Sequence, residues 1–333
     1  MEAFEFNWSK KSMFIINNNN LLKGVINMNN LKKVGLTALA GALVSVSANA
    51  ADVSVSGGVS LNFAGEEKQT TGNGWSMNDG LTFSASGELD NGWAVTATQI
   101  IDSSDGAASA IMDTRILAID MGDTGTLTFS GTGGSSVLDA IDDVTPNASE
   151  ESWDDVTGAD SIPGGTGGDN MFHYSNSSLM DGVTIAGSYT PSDAANVIES
   201  SSDYGITYTG IDGLTIGAAA GENNAAAASV ELTNMYVKYT MDAFSVGYQT
   251  SESDSETANA DKDFTAIGLS YAVSEEMSVS LNTSTIDYEN ATLSDQEATG
   301  ISVSYVMGSM TLKANHNTVD NIAGTATDDR SGY

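Results

Sequence analysis

From residue 53 onward, apolar and polar side chains alternate with a period of two residues. The first run of apolar positions is Val53, Val55, Val59, Leu61 and Phe63, with Ser or Asn between them. Similar runs recur to the end of the chain, and no long segment has the 3.6-residue period of a helix. The exception is the short run Ala225–Ala228. The pattern predicts an all-β protein with fifteen complete strands and a sixteenth that begins at 331–333.

The connections between these strands are alternately short and long. The short ones carry Asn, Asp and Gly, as tight hairpins require, and one slightly longer turn spans 177–182. The long, polar connections fall near 64–78, 102–112, 132–168, 191–202, 222–229, 252–262, 288–296 and 319–330. Strict alternation with strands of about 9–11 residues is typical of a transmembrane antiparallel β-barrel, with short turns at one end and long loops at the other.

The two faces of each strand predict which side meets lipid. Because lipid cannot hydrogen-bond to Ser, Thr or Asn, the apolar face is expected outside and the polar face inside, around a water-filled lumen. Tyrosines near strand ends are typical of an aromatic girdle at the membrane interface. They are Tyr189, Tyr208, Tyr239, Tyr248, Tyr271 and Tyr305.

The first fifty residues predict export. Within 28–50, Lys32 and Lys33 precede an uncharged apolar stretch at 34–46, and Ala48-Asn49-Ala50 is a small-residue cleavage site. We interpret 28–50 as a signal peptide, 1–27 as a spurious extension before the true start, and 51–333 as the barrel.

Charge and composition exclude several classes of protein. Residues 51–333 hold 42 acidic and six basic residues, a net charge of −36. This excess argues against nucleic-acid binding and against a basic membrane-surface patch. Without cysteine and with only His173 and His316, the chain has little for thiol, metal or acid–base chemistry, so we expect no enzyme. His173 is interpreted as a polar wall residue and His316 as an interfacial one.

Four segments carry a resemblance to a known family. They are 51–58 (ADVSVSGG), 125–131 (GTLTFSG), 172–175 (FHYS) and 181–189 (DGVTIAGSY). Their order, over 28–333, resembles Gram-negative general porins of the alphaproteobacterial type. The resemblance implies a homotrimer of 16-stranded barrels in outer-membrane lipid, with the third external loop folded into each lumen. It also implies passive diffusion of ions and small hydrophilic solutes. Such porins end in a complete last strand, so with Tyr333 at the start of strand sixteen we expect that the sequence is truncated.

The connection 132–168 corresponds to the constriction loop of that family. It holds eight acidic residues and no Lys or Arg: Asp139, Asp142, Asp143, Glu150, Glu151, Asp154, Asp155 and Asp160. Val137, Leu138 and Ile141 are expected to anchor its first part to the barrel wall. Carboxylates at a narrow aqueous neck concentrate cations and repel anions, so the sequence predicts a cation-preferring pore.

Few basic residues are available to oppose these acids. Lys238 and Lys313 have the polar parity of their strands and are expected to face the lumen, whereas the face of Arg115 is ambiguous. Lys68, Lys262 and Arg330 lie in or beside external loops.

Alternatives to an acidic constriction remain open from sequence. The loop acids are alternatively a solvated surface, and Asp142, Asp143, Asp154 and Asp155 are a possible calcium site, although no EF-hand spacing is present. For the whole chain, the alternative is a secreted, acidic, β-rich surface or adhesin-like protein.

Overall fold

The structure is a computed structural model that describes residues 52–68, 74–102, 112–161, 168–192, 199–225 and 228–333. Residues 54–333 form one compact unit. The predicted extension and signal peptide lie outside the described residues.

Sixteen strands form one antiparallel sheet in which each strand pairs with its neighbours in sequence. This order confirms the predicted fold. The bounds are β1 Asp52–Phe63, β2 Trp75–Glu88, β3 Ala94–Asp102, β4 Met112–Asp120, β5 Thr126–Thr132, β6 Met171–Met180, β7 Val183–Thr190, β8 Ser201–Ile211, β9 Leu214–Ala225, β10 Ala228–Met241, β11 Phe244–Ser255, β12 Lys262–Ala272, β13 Met277–Tyr288, β14 Gln296–Met307, β15 Met310–Asp320 and β16 Arg330–Gly332.

The last strand, β16, lies beside the segment that follows β1. On one side β16 pairs with β15 through Val319↔Arg330 and its neighbours. On the other side, Gly65 and Tyr333 exchange backbone N–H···O bonds of 2.9 and 3.0 Å, and Glu67 N donates to Ser331 O at 2.9 Å. The sheet therefore curls until its last strand reaches the segment that follows β1, as a barrel requires.

Large apolar side chains cover the outer face. Val59 and Leu61 are each 70% exposed and Ile301 is 59% exposed, which is the expected state of side chains that face lipid. Five of the six predicted girdle tyrosines are also exposed, the exception being the half-buried Tyr208. No helix in the described ranges is long and apolar enough to span a membrane.

Two predicted connections are wrong in length. The predicted loop 222–229 is mostly strand, because β9 continues to Ala225 and β10 begins at Ala228, with Ala228 opposite Ala225. Polar pairing extends this hairpin, since Ser229 Oγ donates to Asn224 Oδ1 at 2.7 Å. Likewise β6 runs on to Met180, which leaves a tight turn at Asp181-Gly182.

Candidate functional site

The segment between β5 and β6 lies inside the barrel. Val137 N donates to Ser188 Oγ in β7 at 2.9 Å, and further along the segment Asn282 in β13 donates to Pro146 O at 3.0 Å. These wall residues stand on the polar, inward faces of their strands. Residues 133–161, which we call the inner loop, therefore run across the inner wall, as the resemblance implies.

Two apolar clusters fix the inner loop to this wall. The first joins Val137, Leu138 and Ile141 to Ala219, Leu232 and Tyr236, which confirms the predicted anchor. The second joins Trp153 and Val156 to Phe264, Ala266, Ile286, Ala298, Val319 and Ile322. Its centre is an edge-to-face contact of Trp153 with Phe264, at 5.1 Å between ring centroids and 87° between planes. Aromatic pairs of this geometry contribute about 0.5–1.5 kcal/mol beyond their area burial.

Side-chain amides from five strands bind the backbone of the inner loop. The bonds are Asn234 to Ile141 O (2.7 Å), Gln249 to Ile141 O (2.8 Å) and Asp142 O (2.9 Å), Asn282 to Pro146 O (3.0 Å), Asn317 to Glu151 O (2.8 Å) and Asp154 O (2.7 Å), and Gln296 to Asp160 O (2.8 Å). A carboxamide donates to a carbonyl without adding charge. The wall therefore holds an acidic loop without neutralising it.

Inward-facing glycines let the loop backbone approach the wall closely. A Cβ on Gly247 would lie 2.4 Å from Pro146 Cδ, and one on Gly268 would lie 2.7 Å from Pro146 O. At the other end of the inner loop, a Cβ on Gly332 would lie 1.9 Å from Asp155 O. Any side chain at these positions would displace the loop.

Two of the eight predicted acids have structural contacts, one with the wall and one within the loop. Asp160 accepts from Lys262 Nζ at 2.7 Å and from Tyr288 Oη at 2.9 Å, so its charge is balanced. Asp139 accepts from Ser136 N at 3.0 Å within the first turn of the loop. A further anchor was not predicted: Asp203, buried in β8, accepts from Val137 N at 3.2 Å.

Asp142 and Asp143 form an acidic pair beside this first turn. Burial, together with the neighbouring charge and hydrogen bond of Asp143, raises the pKa of Asp142 to about 7. Asp142 therefore retains a proton to higher pH than an exposed carboxyl does.

A second acidic group lies midway along the loop. Oxygen atoms of Glu150, Glu151 and Asp154 fall within 4.8 Å of one another. Burial raises the pKa of Glu151 to about 8, and it also raises the pKa of Asp154 and of Glu150. Asn147 donates to Glu151, and Asn315 donates to the exposed Asp155 at 2.7 Å. Of the four carboxylates predicted as a calcium site, Asp154 groups with the two glutamates.

The predicted basic residues fall in different places. Lys313 Nζ lies 3.8 Å from Glu150 Oε1, so this lysine faces the inner loop. Lys238 alternates with the exposed Val237 and Tyr239 and so has inward parity. Arg115 instead has the parity of Leu117, which is 43% exposed, and donates to Gly131 O at 3.4 Å. The structure does not bring Arg115 together with the loop acids.

The wall residues beneath the loop were missed from sequence. Phe264, Ile286 and Val319 break the outward apolar runs, and this change of parity is the signal that could have found them. Of the histidines, His316 is exposed on the outer parity and His173 is half-buried opposite Ser188, as their interpretations expect.

The chain matches the family described as Gram-negative porin over residues 35–324. It belongs to this family. Porins of this kind are outer-membrane channels for diffusion, and they are not enzymes. No curated protein matches the chain.

Solved porins share the fold of this chain. An anion-selective porin from Comamonas acidovorans is 13% identical, with TM-score 0.66, and the match covers 85% of this chain and 97% of that one. A loop L8 deletion mutant of OmpT, an outer membrane protein of Vibrio cholerae, is 14% identical with TM-score 0.64, covering 86% and 98%. A point mutant of the Rh. blastica porin is 14% identical with TM-score 0.61, covering 84% and 98%.

Proposed function

We propose that this porin is a cation-preferring diffusion channel whose constriction is formed by the inner loop. The observation that carries the proposal is the position of a loop with eight acids and no base inside the lumen, bound to its wall mainly by neutral groups. Asp160 anchors the loop and Asp139 stabilises its first turn. Of the other six acids, Asp143, Glu150, Asp154 and Asp155 supply a negative potential that attracts cations and small cationic solutes, and Asp142 and Glu151 add to it as they lose their protons.

The wall formed by β1–β5 supports this preference. Its described strands contain one basic residue, Arg115, and that residue has outward parity. The inward positions of β1 are Ser54, Ser56, Gly58, Ser60 and Asn62, all small or neutral. Of the basic residues that contact the loop, Lys262 is paired with Asp160 and Arg330 with Glu66 and Asp328, which leaves Lys313 beside Glu150 to oppose the remaining carboxylates.

The test measures the reversal potential of single channels in a salt gradient. The variant D142N/D143N/D154N/D155N is expected to lower the cation preference strongly, because it removes four carboxylates from the loop. A matched control, D90N/D181N/D212N/D242N, makes the same charge change at exposed aspartates in tight turns. The control is expected to keep the wild-type reversal potential. If both variants shift it equally, the inner loop is not the selectivity filter.

We also propose that the channel is a homotrimer in outer-membrane lipid. Arg115 supports this state, because a charged side chain with outward parity is costly in lipid but tolerated against another subunit. Chemical cross-linking of detergent-solubilised barrels measures the number of subunits in the assembly.

Calcium stays a prediction. Three grouped carboxylates fit part of a calcium site, which takes six to eight oxygen ligands. Reversal potentials with and without a chelator test it. The proposed precursor has its signal peptide at 28–50, which N-terminal sequencing of the exported protein tests.

A further inference from the structure

One guanidinium joins three separate segments at the beginning of β16. Arg330 Nε and Nη2 donate to the two oxygens of Asp328 at 2.9 and 2.8 Å. Its Nη1 donates to Glu66 Oε1 at 2.8 Å and to Thr157 O at 2.9 Å. The contacts therefore reach the β15–β16 connection, the segment after β1, and the distal part of the inner loop.

Two of the three charged side chains in this cluster are withdrawn from water, whereas Asp328 is more open, with its side chain 35% exposed. The side chain of Arg330 is 11% exposed and that of Glu66 is 5% exposed. Charged pairs in such surroundings are screened little, and loss of one partner leaves the other charge uncompensated. Only the planar fork of arginine offers enough donors to satisfy two carboxylates and a carbonyl at once.

The part of the inner loop that Arg330 holds is its tip, residues 155–158. On either side of the tip, Asn317 binds Asp154 O and Gln296 binds Asp160 O. The tip itself lies on β16, where Gly332 leaves room for Asp155 O and Val156 packs into the second apolar cluster. Arg330 adds the hydrogen bond to Thr157 O that closes this contact.

We propose that Arg330 is a positioning residue that fastens the tip of the inner loop to β16 and to the segment after β1, and so keeps the channel at a constant width. It acts through the loop and does not bind the solute. The proposal rests on the inner loop being the constriction.

A spin label on an introduced cysteine tests whether the tip is held in place. The label attaches only at that site, because the chain has no cysteine of its own. The reporter is T157C, whose side chain is exposed while its carbonyl is the acceptor of Arg330. The control reporter is D143C, exposed in the first part of the loop. Heat-modifiable migration on SDS gels identifies R330Q barrels that are folded. In these barrels the T157C label is expected to become severalfold more mobile, and the mobility of the D143C label is expected to stay unchanged.

Channel recordings supply a second measurement. R330Q is expected to increase open-channel current noise severalfold. The disulfide variant S152C/S284C joins loop to wall where the two hydroxyl oxygens lie 3.2 Å apart, and it is expected to suppress that noise. If R330Q does not fold, G332A displaces the tip from the other side of the contact and is expected to mobilise the same label.

An immobile T157C label in folded R330Q barrels would overturn the proposal, as would an immobile label in G332A where R330Q fails to fold. Failure of the proposed function would look different. In that case the label becomes mobile in R330Q, while neutralising the loop acids leaves the reversal potential unchanged.

Discussion

The inner faces of two strands, β1 and β14, differ in burial. In β1, eleven of twelve residues are exposed, so both faces of this strand meet solvent or lipid. In β14, residues 296–302 alternate strictly between buried and exposed, and the remaining residues up to Met307 are more open. Two causes contribute: the inner loop covers β14 but not β1, and β1 pairs in the sheet with β2 alone. The loop-covered wall is therefore a packing surface, and the wall that includes β1 lines the pore.

The two walls differ in chemistry for the same reason. The pore-lining wall needs only side chains that water can solvate, and Ser60 and Asn62 of β1 are of that kind. The covered wall instead presents apolar side chains such as Phe264, amides such as Gln249, and glycines such as Gly247. Each of these groups matches a specific part of the loop. The position of the loop is therefore encoded mainly by the wall.

Removing the largest apolar anchor should disturb the covered wall most. Trp153→Ala is expected to weaken the seating of the loop by about 3–5 kcal/mol, because it removes the ring that packs on Phe264. Single-channel conductance should rise and proteases should cleave within 133–161. Trp93→Ala, in a turn where the ring is 37% exposed, is the matched control and should change neither. Equal effects of the two variants would contradict a special role for the covered wall.

A smaller effect is expected from filling the glycine gap beneath the loop. Gly247→Val places atoms against Pro146, and overpacking of this kind costs about 1–3 kcal/mol. Gly58→Val is the matched change on the pore-lining wall, where a Cβ would meet no heavy atom within 4 Å. Two quantities should change for Gly247→Val and stay close to wild type for Gly58→Val. They are the single-channel conductance and the temperature at which heating shifts the migration of the barrel on SDS gels. A larger effect of Gly58→Val than of Gly247→Val would show that the loop does not rest on β11.

Much of the architecture was predictable because it follows from a period of two. Runs such as Val59–Leu61–Phe63 predict the outward faces, and tight turns such as Asp90-Asn91-Gly92 predict the hairpins. The connection 222–229 was mispredicted because its Asn and Ser residues also pair well across two strands. Polarity alone does not distinguish a loop from a polar strand end.

The location of the acids was predictable, but their individual states were not. All eight lie in one segment of sequence, so the acidic loop is evident without a structure. Burial separates them: Asp160 meets Lys262, Glu151 is covered, and Asp143 stays exposed. These differences depend on which wall residues the loop reaches, and those contacts span more than a hundred residues of chain.

The smallest expected effect concerns pH, and it comes from the acids that the covered wall buries within the inner loop. Because burial raises the pKa of Asp142 to about 7 and of Glu151 to about 8, both carboxyls lose protons as pH rises from 6 to 9. Asp139, Asp143 and Asp154 face these groups and oppose ionisation, while Lys313 lies beside Glu150. The loop thus becomes more negative, and the cation preference should increase over this range.

The same shifts set the sign for loop stability. A carboxyl whose folded-state pKa is raised stabilises the seated loop at low pH, and this contribution is lost as pH rises through the raised value. The variant D142N/E151Q removes both titrations, and its glutamine can still donate to Asp154. Reversal potentials measured at pH 6 and pH 9 should therefore differ less in the variant than in the wild type. An identical pH response in the two proteins would assign the titration to groups other than these two buried carboxyls.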